Sequence, residues 1–291
     1  MITINNHQSV FEIGSISKVF TSTILANQII NGNLKLEDNV NDFFDFPFHD
    51  NTKLSLLELA NHSSGLPRLP SNLDLDIVDP DNPYKNYGTE ELIHYLQNEL
   101  ILKDSLINTY QYSNLGAGLL GNALTKKMNS TYEALLQSTI LNKYKMYNTT
   151  TIRKNISDQL VKGLNLKGEI ISNWDMSALV GAGGILSTTE DLAKFTIAHF
   201  DKNNRMLQLT TDKTFEVNSK MSIGLGWHLI KSDSSKNWLW HNGGTGGYSS
   251  SLTMNKETKK AVIVLSNVSA LSPKMAFIDK LCFELLDTID K

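Results

Sequence analysis

The chain has one cysteine in 291 residues, Cys282, which excludes an internal disulfide framework and leaves the redox compartment open. Its setting, Lys280-Leu281-Cys282-Phe283, reads as a small core residue rather than a nucleophile. No stretch approaches the ~18–20 apolar residues that a membrane-spanning helix requires. Met1 to His7 shows neither the basic nor the apolar region of a signal peptide, and localisation stays open. Neither charge dominates: 27 Lys and Arg against 30 Asp and Glu give a formal net charge of −3. That balance offers no electrostatic case for a nucleic acid or an anionic membrane partner. There is no internal repeat and no low-complexity tract. None of the seven histidines sits in His-Glu-x-x-His, and one cysteine cannot build a zinc knuckle, so neither a metal nor another cofactor is expected.

What is present is an ordinary globular composition, 41% hydrophobic and 20% charged, long enough for one large domain or two lobes. The first two thirds read mainly helical. Ile16, Val19, Phe20, Thr23 and Ile24 keep helical spacing until Asn31-Gly32. Further helices are predicted over 54–61, 89–100, 114–128 and 131–141. Thr188 and Asp191 form a capping pair for another. Residues 67–88, rich in Pro, Asp and Asn, read as a long irregular loop serving as a lid or cleft wall. From about Ile223 the period changes. Segments 223–230, 238–240, 248–254 and 261–265 predict an antiparallel meander. Met275 to Ile289 closes the chain as an amphipathic helix with Phe277, Ile278, Leu281, Leu285 and Ile289 on one side. The fold class is α+β: a helical lobe over about 15–185 and a sheet lobe over about 186–291 plus the extreme N-terminus, forming one domain over 1–291.

Three clusters carry chemistry. In Gly14-Ser15-Ile16-Ser17-Lys18, a serine and a lysine three residues apart share one helix face, so the Lys18 amine lies near the Ser15 hydroxyl. A broadly apolar helix partly desolvates Lys18 and favours its neutral amine. The same spacing also arises by chance as a helix-start serine and a solvated lysine. In Tyr112-Ser113-Asn114, a phenol can relay a proton and an amide can hold a lysine or a substrate. In His241-Asn242-Gly243-Gly244, glycines at a strand end admit an extended substrate along the edge. Two other motifs fail. Gly116 to Gly121 satisfies Gly-x-Gly-x-x-Gly but lies inside a helical pattern with no preceding strand, so it reads as tight helix packing. The Gly-x-Ser-x-Gly elbow of α/β-hydrolases is absent.

In this order the three clusters resemble the motifs of the serine β-lactamase and penicillin-binding protein superfamily, in particular its class C-like branch. Phe11 to Gly14, Leu57 to Pro67, Ala182 to Thr188, Gly224 to Trp227 and Val264 to Asn267 resemble its landmarks. The resemblance covers about residues 11–285. It implies the two-lobe β-lactamase/transpeptidase fold and attack by Ser15 on an amide, ester or β-lactam carbonyl. Lys18 and Tyr112 would share the proton transfers, and the backbone N–H groups of Ser15 and Gly244 would hold the oxyanion. Asn114, His241, Gly243 and Gly244 would bind substrate. Small molecules or peptidoglycan-like peptides are the implied substrates.

His241 stands where class C β-lactamases carry lysine, which favours a D-Ala-D-Ala peptidase, D-aminopeptidase or esterase over a true β-lactamase. Met1 to Gly14 has room for one short strand where relatives place a helix and two strands. The expectation is an uncovered sheet edge beside 261–265 that invites self-association. The alternative from a different class is a non-catalytic or truncated relative acting as a binding or scaffold protein.

Overall fold

A computed structural model describes residues 6–102, 106–232 and 236–290. The first five residues, part of the stretch with room for one strand, lie outside it. Strand β1 (Phe11–Glu12) leads through a 3-10 turn (Gly14–Ile16) into α1 (Ser17–Ile30). Along α1, Val19, Phe20, Ile24 and Leu25 are fully buried, each contributing roughly 1.5–3 kcal/mol by removal from water. Helices α2 (Leu56–Asn61), α3 (Thr89–Asn98) and α4 (Asn114–Lys127) follow. Between α2 and α3 the chain from 67 to 88 forms no regular element, as its composition predicts.

The predicted 131–141 helix forms as one continuous run: α5 (Tyr132–Leu136), a π-helical turn over Gln137–Leu141 and α6 (Asn142–Tyr144). Short α7 (Val180–Gly183) then precedes β2 (Leu186–Ser187) and α8 (Thr189–His199), whose Thr188 hydroxyl accepts the Asp191 N–H at 3.1 Å. Helix α9 (Arg205–Thr211) was not legible in the sequence.

The sheet is an antiparallel meander in strictly sequential order: β3 (Phe215–Asn218), β4 (Met221–Ile223), β5 (His228–Lys231), β6 (Asn237–Gly244), β7 (Ser249–Asn255) and β8 (Lys260–Ser266). The predicted 223–230 strand is two strands, because Gly224 to Trp227 turns the chain back. On the other edge, no strand pairs with the outer side of β8 among the described residues, and β1 pairs with β2 instead.

Helix α10 (Met275–Ile289) packs on β7 and β8. Cys282 and Leu286 are buried, while Phe277, Leu281, Leu285 and Ile289 are exposed. A stripe of apolar residues marks a helix but does not say which face meets the sheet. No helix among the described residues is long and apolar enough to cross a membrane.

Candidate active site

The site lies where the turn before α1 meets the end of β6. Gly14 adopts φ +50°, a left-handed conformation that suits glycine. A methyl group there would lie 2.4 Å from the Gly244 nitrogen, and one on Gly243 would lie 2.0 Å from the Ile13 carbonyl oxygen. Only glycines let these two backbones touch. The turn is pinned on both sides. The Ile13 N–H donates to the Ile185 carbonyl at 3.1 Å, and the Ser250 hydroxyl donates to the Ile13 carbonyl at 2.8 Å. Ser15 is thereby held half-buried beside the Gly243-Gly244 backbone.

Lys18 is 2% exposed. Its Nζ lies 2.9 Å from Ser15 Oγ, 2.9 Å from Asn114 Oδ1 and 2.7 Å from the Ala182 carbonyl oxygen. The last is one of the carbonyls that the end of α7 leaves without a helical partner. Burial pushes the Lys18 amine well below the ordinary lysine range, with the positive Arg68 acting in the same direction. A neutral amine has two protons, and the two fixed acceptors take them. The remaining lone pair then faces the Ser15 hydroxyl, which is the geometry of a base toward a nucleophile.

The Tyr112-Ser113-Asn114 cluster is clamped against the start of the irregular loop. Ser113 caps α4 by accepting the Gly116 N–H at 2.8 Å, and it donates to the Pro67 carbonyl at 2.6 Å. The Asn114 N–H donates to the Arg68 carbonyl at 2.9 Å. The Tyr112 ring lies 4.9 Å from Lys18 Nζ and 5.3 Å from the exposed Arg68 guanidinium. Burial holds its phenol well above the usual tyrosine range, partly offset by a hydrogen bond with Ser15.

His241 is fully buried. Its Nδ1 donates to the Asn242 carbonyl at 2.6 Å, and its Nε2 is buried without a partner among the described residues. Burial pushes this imidazole well below its ordinary range, so it stays neutral at pH 7. All seven residues selected from the sequence, Ser15, Lys18, Tyr112, Asn114, His241, Gly243 and Gly244, therefore converge on one junction.

Sequence reasoning missed two further imidazoles there. His62, in the left-handed conformation that ends α2, accepts the Ser113 N–H at its Nδ1 and packs 4.6 Å from the Tyr112 ring. His228 meets the Tyr110 hydroxyl at 3.0 Å and lies 4.9 Å from the His241 ring. Burial lowers both, His228 to about 4. The only sequence signal for His62 was its place inside the Leu57 to Pro67 landmark. Gly118, within the failed Gly-x-Gly-x-x-Gly, packs against Leu179 as read, since a methyl there would lie 2.5 Å from its side chain.

A serine paired with a buried lysine, between a helical lobe and an antiparallel sheet, defines the class of site. The chain belongs to the β-lactamase family, whose family model, Beta-lactamase, matches residues 5–281. It is 31% identical over 221 residues to Beta-lactamase-like protein 2 of Dictyostelium discoideum, a match covering 72% of this chain and 39% of that protein. The chain thus spans well under half the length of that relative. It is 24% identical to the D-alanyl-D-alanine-carboxypeptidase/endopeptidase AmpH of Escherichia coli K12, over 91% of this chain and 72% of that one. The fold matches the β-lactamase/D-alanine carboxypeptidase of Yersinia pestis with a TM-score of 0.81 and 22% identity, over 97% of this chain and 85% of that one.

Proposed function

We propose that this chain is a serine hydrolase acting through an acyl-enzyme, with one catalytic domain built from both lobes. The observation that carries the reading is the buried Lys18 amine, held by Asn114 and Ala182 and facing Ser15 Oγ at 2.9 Å. In the proposed reaction the Ser15 hydroxyl gives its proton to Lys18, and Oγ bonds to the substrate carbonyl carbon. The oxygen that gains the electron pair sits between the Ser15 and Gly244 backbone N–H groups. As the tetrahedral intermediate collapses, a proton passes through the Tyr112 phenol to the leaving nitrogen or oxygen. Water then repeats the sequence on the acyl-enzyme and frees Ser15.

The substrate reading is a D-alanyl peptide, a D-amino acid amide or an ester in preference to a β-lactam antibiotic. Support comes from His241, which is neutral and buried and so offers no cation to a substrate carboxylate. Arg68, exposed beside Tyr112, is the cation in position to do so. The open outer side of β8 supports self-association as a further proposal, read out by sedimentation of the purified chain.

The test is intact mass after treatment with a fluorescent penicillin or a fluorophosphonate, for the wild type and Ser15→Ala. One adduct on the wild type and none on the variant is expected. No wild-type adduct would favour the scaffold alternative, and an adduct surviving in Ser15→Ala would remove Ser15 from the role. Turnover of D-alanyl-D-alanine peptides, D-amino acid amides, short esters and a chromogenic cephalosporin then separates the substrates.

A further inference from the structure

A cavity of about 600 Å³ opens at the far end of β6, walled by α9, the β3–β4 turn, β5 and residues 237–239. Gly244 lies seven positions beyond Asn237, and at about 3.3 Å per residue the cavity lies roughly 20 Å from the Ser15 junction. Its size falls within the ~300–1,000 Å³ range of small-molecule sites.

Two features of the lining point to a ligand class. The wall is apolar where Leu229, Trp238, Leu239 and Phe200 meet. The rest is dominated by one sign of charge. Lys202, Lys213, Lys220, Lys231 and Lys256 line the cavity, and Glu257 is the one acidic residue among them. Lys213 is paired with Glu216. The side chains of Lys202 and Lys231 have no ion-pair partner among the described residues. Lys256 is half-buried and donates to two neutral acceptors, Gln208 Oε1 at 2.6 Å and Thr211 Oγ1 at 2.7 Å. Burial disfavours its ammonium form and the nearby Asp212 carboxylate favours it; as an ammonium it keeps a third proton for another acceptor. Cations gathered around an apolar wall repel one another, and an anion placed among them removes that cost.

We propose that this cavity binds an anion with an apolar body, of which a medium-chain carboxylate is the simplest member. The chain lies against Leu229, Leu239 and Trp238, and the carboxylate sits among Lys202, Lys231 and Lys256. A neutral alcohol of the same length gains the apolar contact but not the ionic one. A cationic analogue is repelled.

The experiment is calorimetric titration of the purified full chain with decanoate below its micelle-forming concentration, beside decanol. It is carried out on the wild type, on Ser15→Ala and on the double variant Lys202→Glu/Lys231→Glu, both of whose sites are exposed. One saturable site is expected, with decanol at least ten-fold weaker and the double variant weakened at least ten-fold. Ser15→Ala should bind as the wild type does, so the outcome is independent of whether Ser15 is catalytic. Equal binding of decanol, absence of a saturable site, or full affinity in the double variant overturns the proposal. So does decanoate binding that disappears when Ser15 is acylated. Should the double variant fail to fold, Lys231→Gln together with wild-type tryptophan fluorescence decides. Decanoate should alter the emission, Trp238→Phe should abolish the change, and an unchanged response in that variant refutes the location.

Discussion

At one end of β6, Gly243 and Gly244 press against the Gly14-Ser15 turn, and burial disfavours the charged form of Lys18, His62, His228 and His241. At the other end, Asn237 to Leu239 border an open cavity ringed by lysines. One strand thus connects a site that suppresses charge to one that gathers it. The contrast has a physical origin. Tight glycine packing excludes water, and desolvation then lowers Lys18, His62, His228 and His241 together. Where longer side chains leave an open space, Lys202, Lys213, Lys220 and Lys231 stay exposed to water.

The largest way to break the contrast is to remove the neutral lysine. Lys18→Ala takes away the proposed base and leaves Asn114 Oδ1 and the Ala182 carbonyl without a donor. Hydrolysis of a short ester should fall by about 10²–10⁴-fold, a loss carried by kcat. Decanoate binding at the far end should not move. A variant with wild-type turnover would remove Lys18 from the proton transfer.

Next comes the packing that creates the dry end. In Gly243→Ala the new methyl must displace the Ile13 carbonyl, 2.0 Å away, and the Ser15 nitrogen, 2.8 Å away. Overpacking of this kind costs about 1–3 kcal/mol, and displacing the proposed oxyanion donor, the Ser15 N–H, should cost about 10²–10³ in rate. Denaturant melts and kcat should therefore both fall. Unchanged kcat with lowered stability would show that the turn is packed but not poised for chemistry.

How much of this was legible follows from distance along the chain. Ser15 and Lys18 are three residues apart, and Tyr112 and Asn114 two, so each pairing is local and visible in the sequence. His62, His228 and Arg68 reach the same point only after α2, β5 and the irregular loop have been placed, and no local spacing announces that. The meander was readable from its β-branched and aromatic runs, but β3, with Glu216 and Asn218 at an exposed edge, was not. Helix α10 was read with its true ends, but periodicity alone does not say which of its faces meets the sheet.

Acid sharpens the comparison by charging the suppressed groups. Burial lowers His228 and also His199, which packs against Trp227, from 6.5 to about 4. Between those values the unfolded chain takes up protons that the folded chain refuses, so stability is lost as pH falls from 6.5 toward 4. Each histidine accounts for about 3 kcal/mol of that loss. Urea melts of the wild type and His199→Phe at pH 7 and pH 4.5 check it. The variant should lose less on acidification, and an equal loss would dismiss His199 as a contributor. For Lys18 burial works in the downward direction, so its base form is reached below the ordinary lysine range, and ester hydrolysis should plateau below that range too.

The smallest effect concerns the one cation at the neutral end. Arg68 is exposed, 5.3 Å from the Tyr112 ring centre, and water screens any ion pair it makes. Arg68→Ala should therefore raise KM about three- to ten-fold for a D-alanyl peptide with a free carboxylate, with little change in kcat. For a short ester without a carboxylate, KM should stay put, since nothing in that substrate meets the guanidinium. Added salt should narrow the gap between the two substrates in the wild type and do nothing in the variant. Equal effects on both substrates would mean that Arg68 acts through the Tyr112 ring rather than on the substrate. The neutral end would then have no cation of its own for a substrate carboxylate.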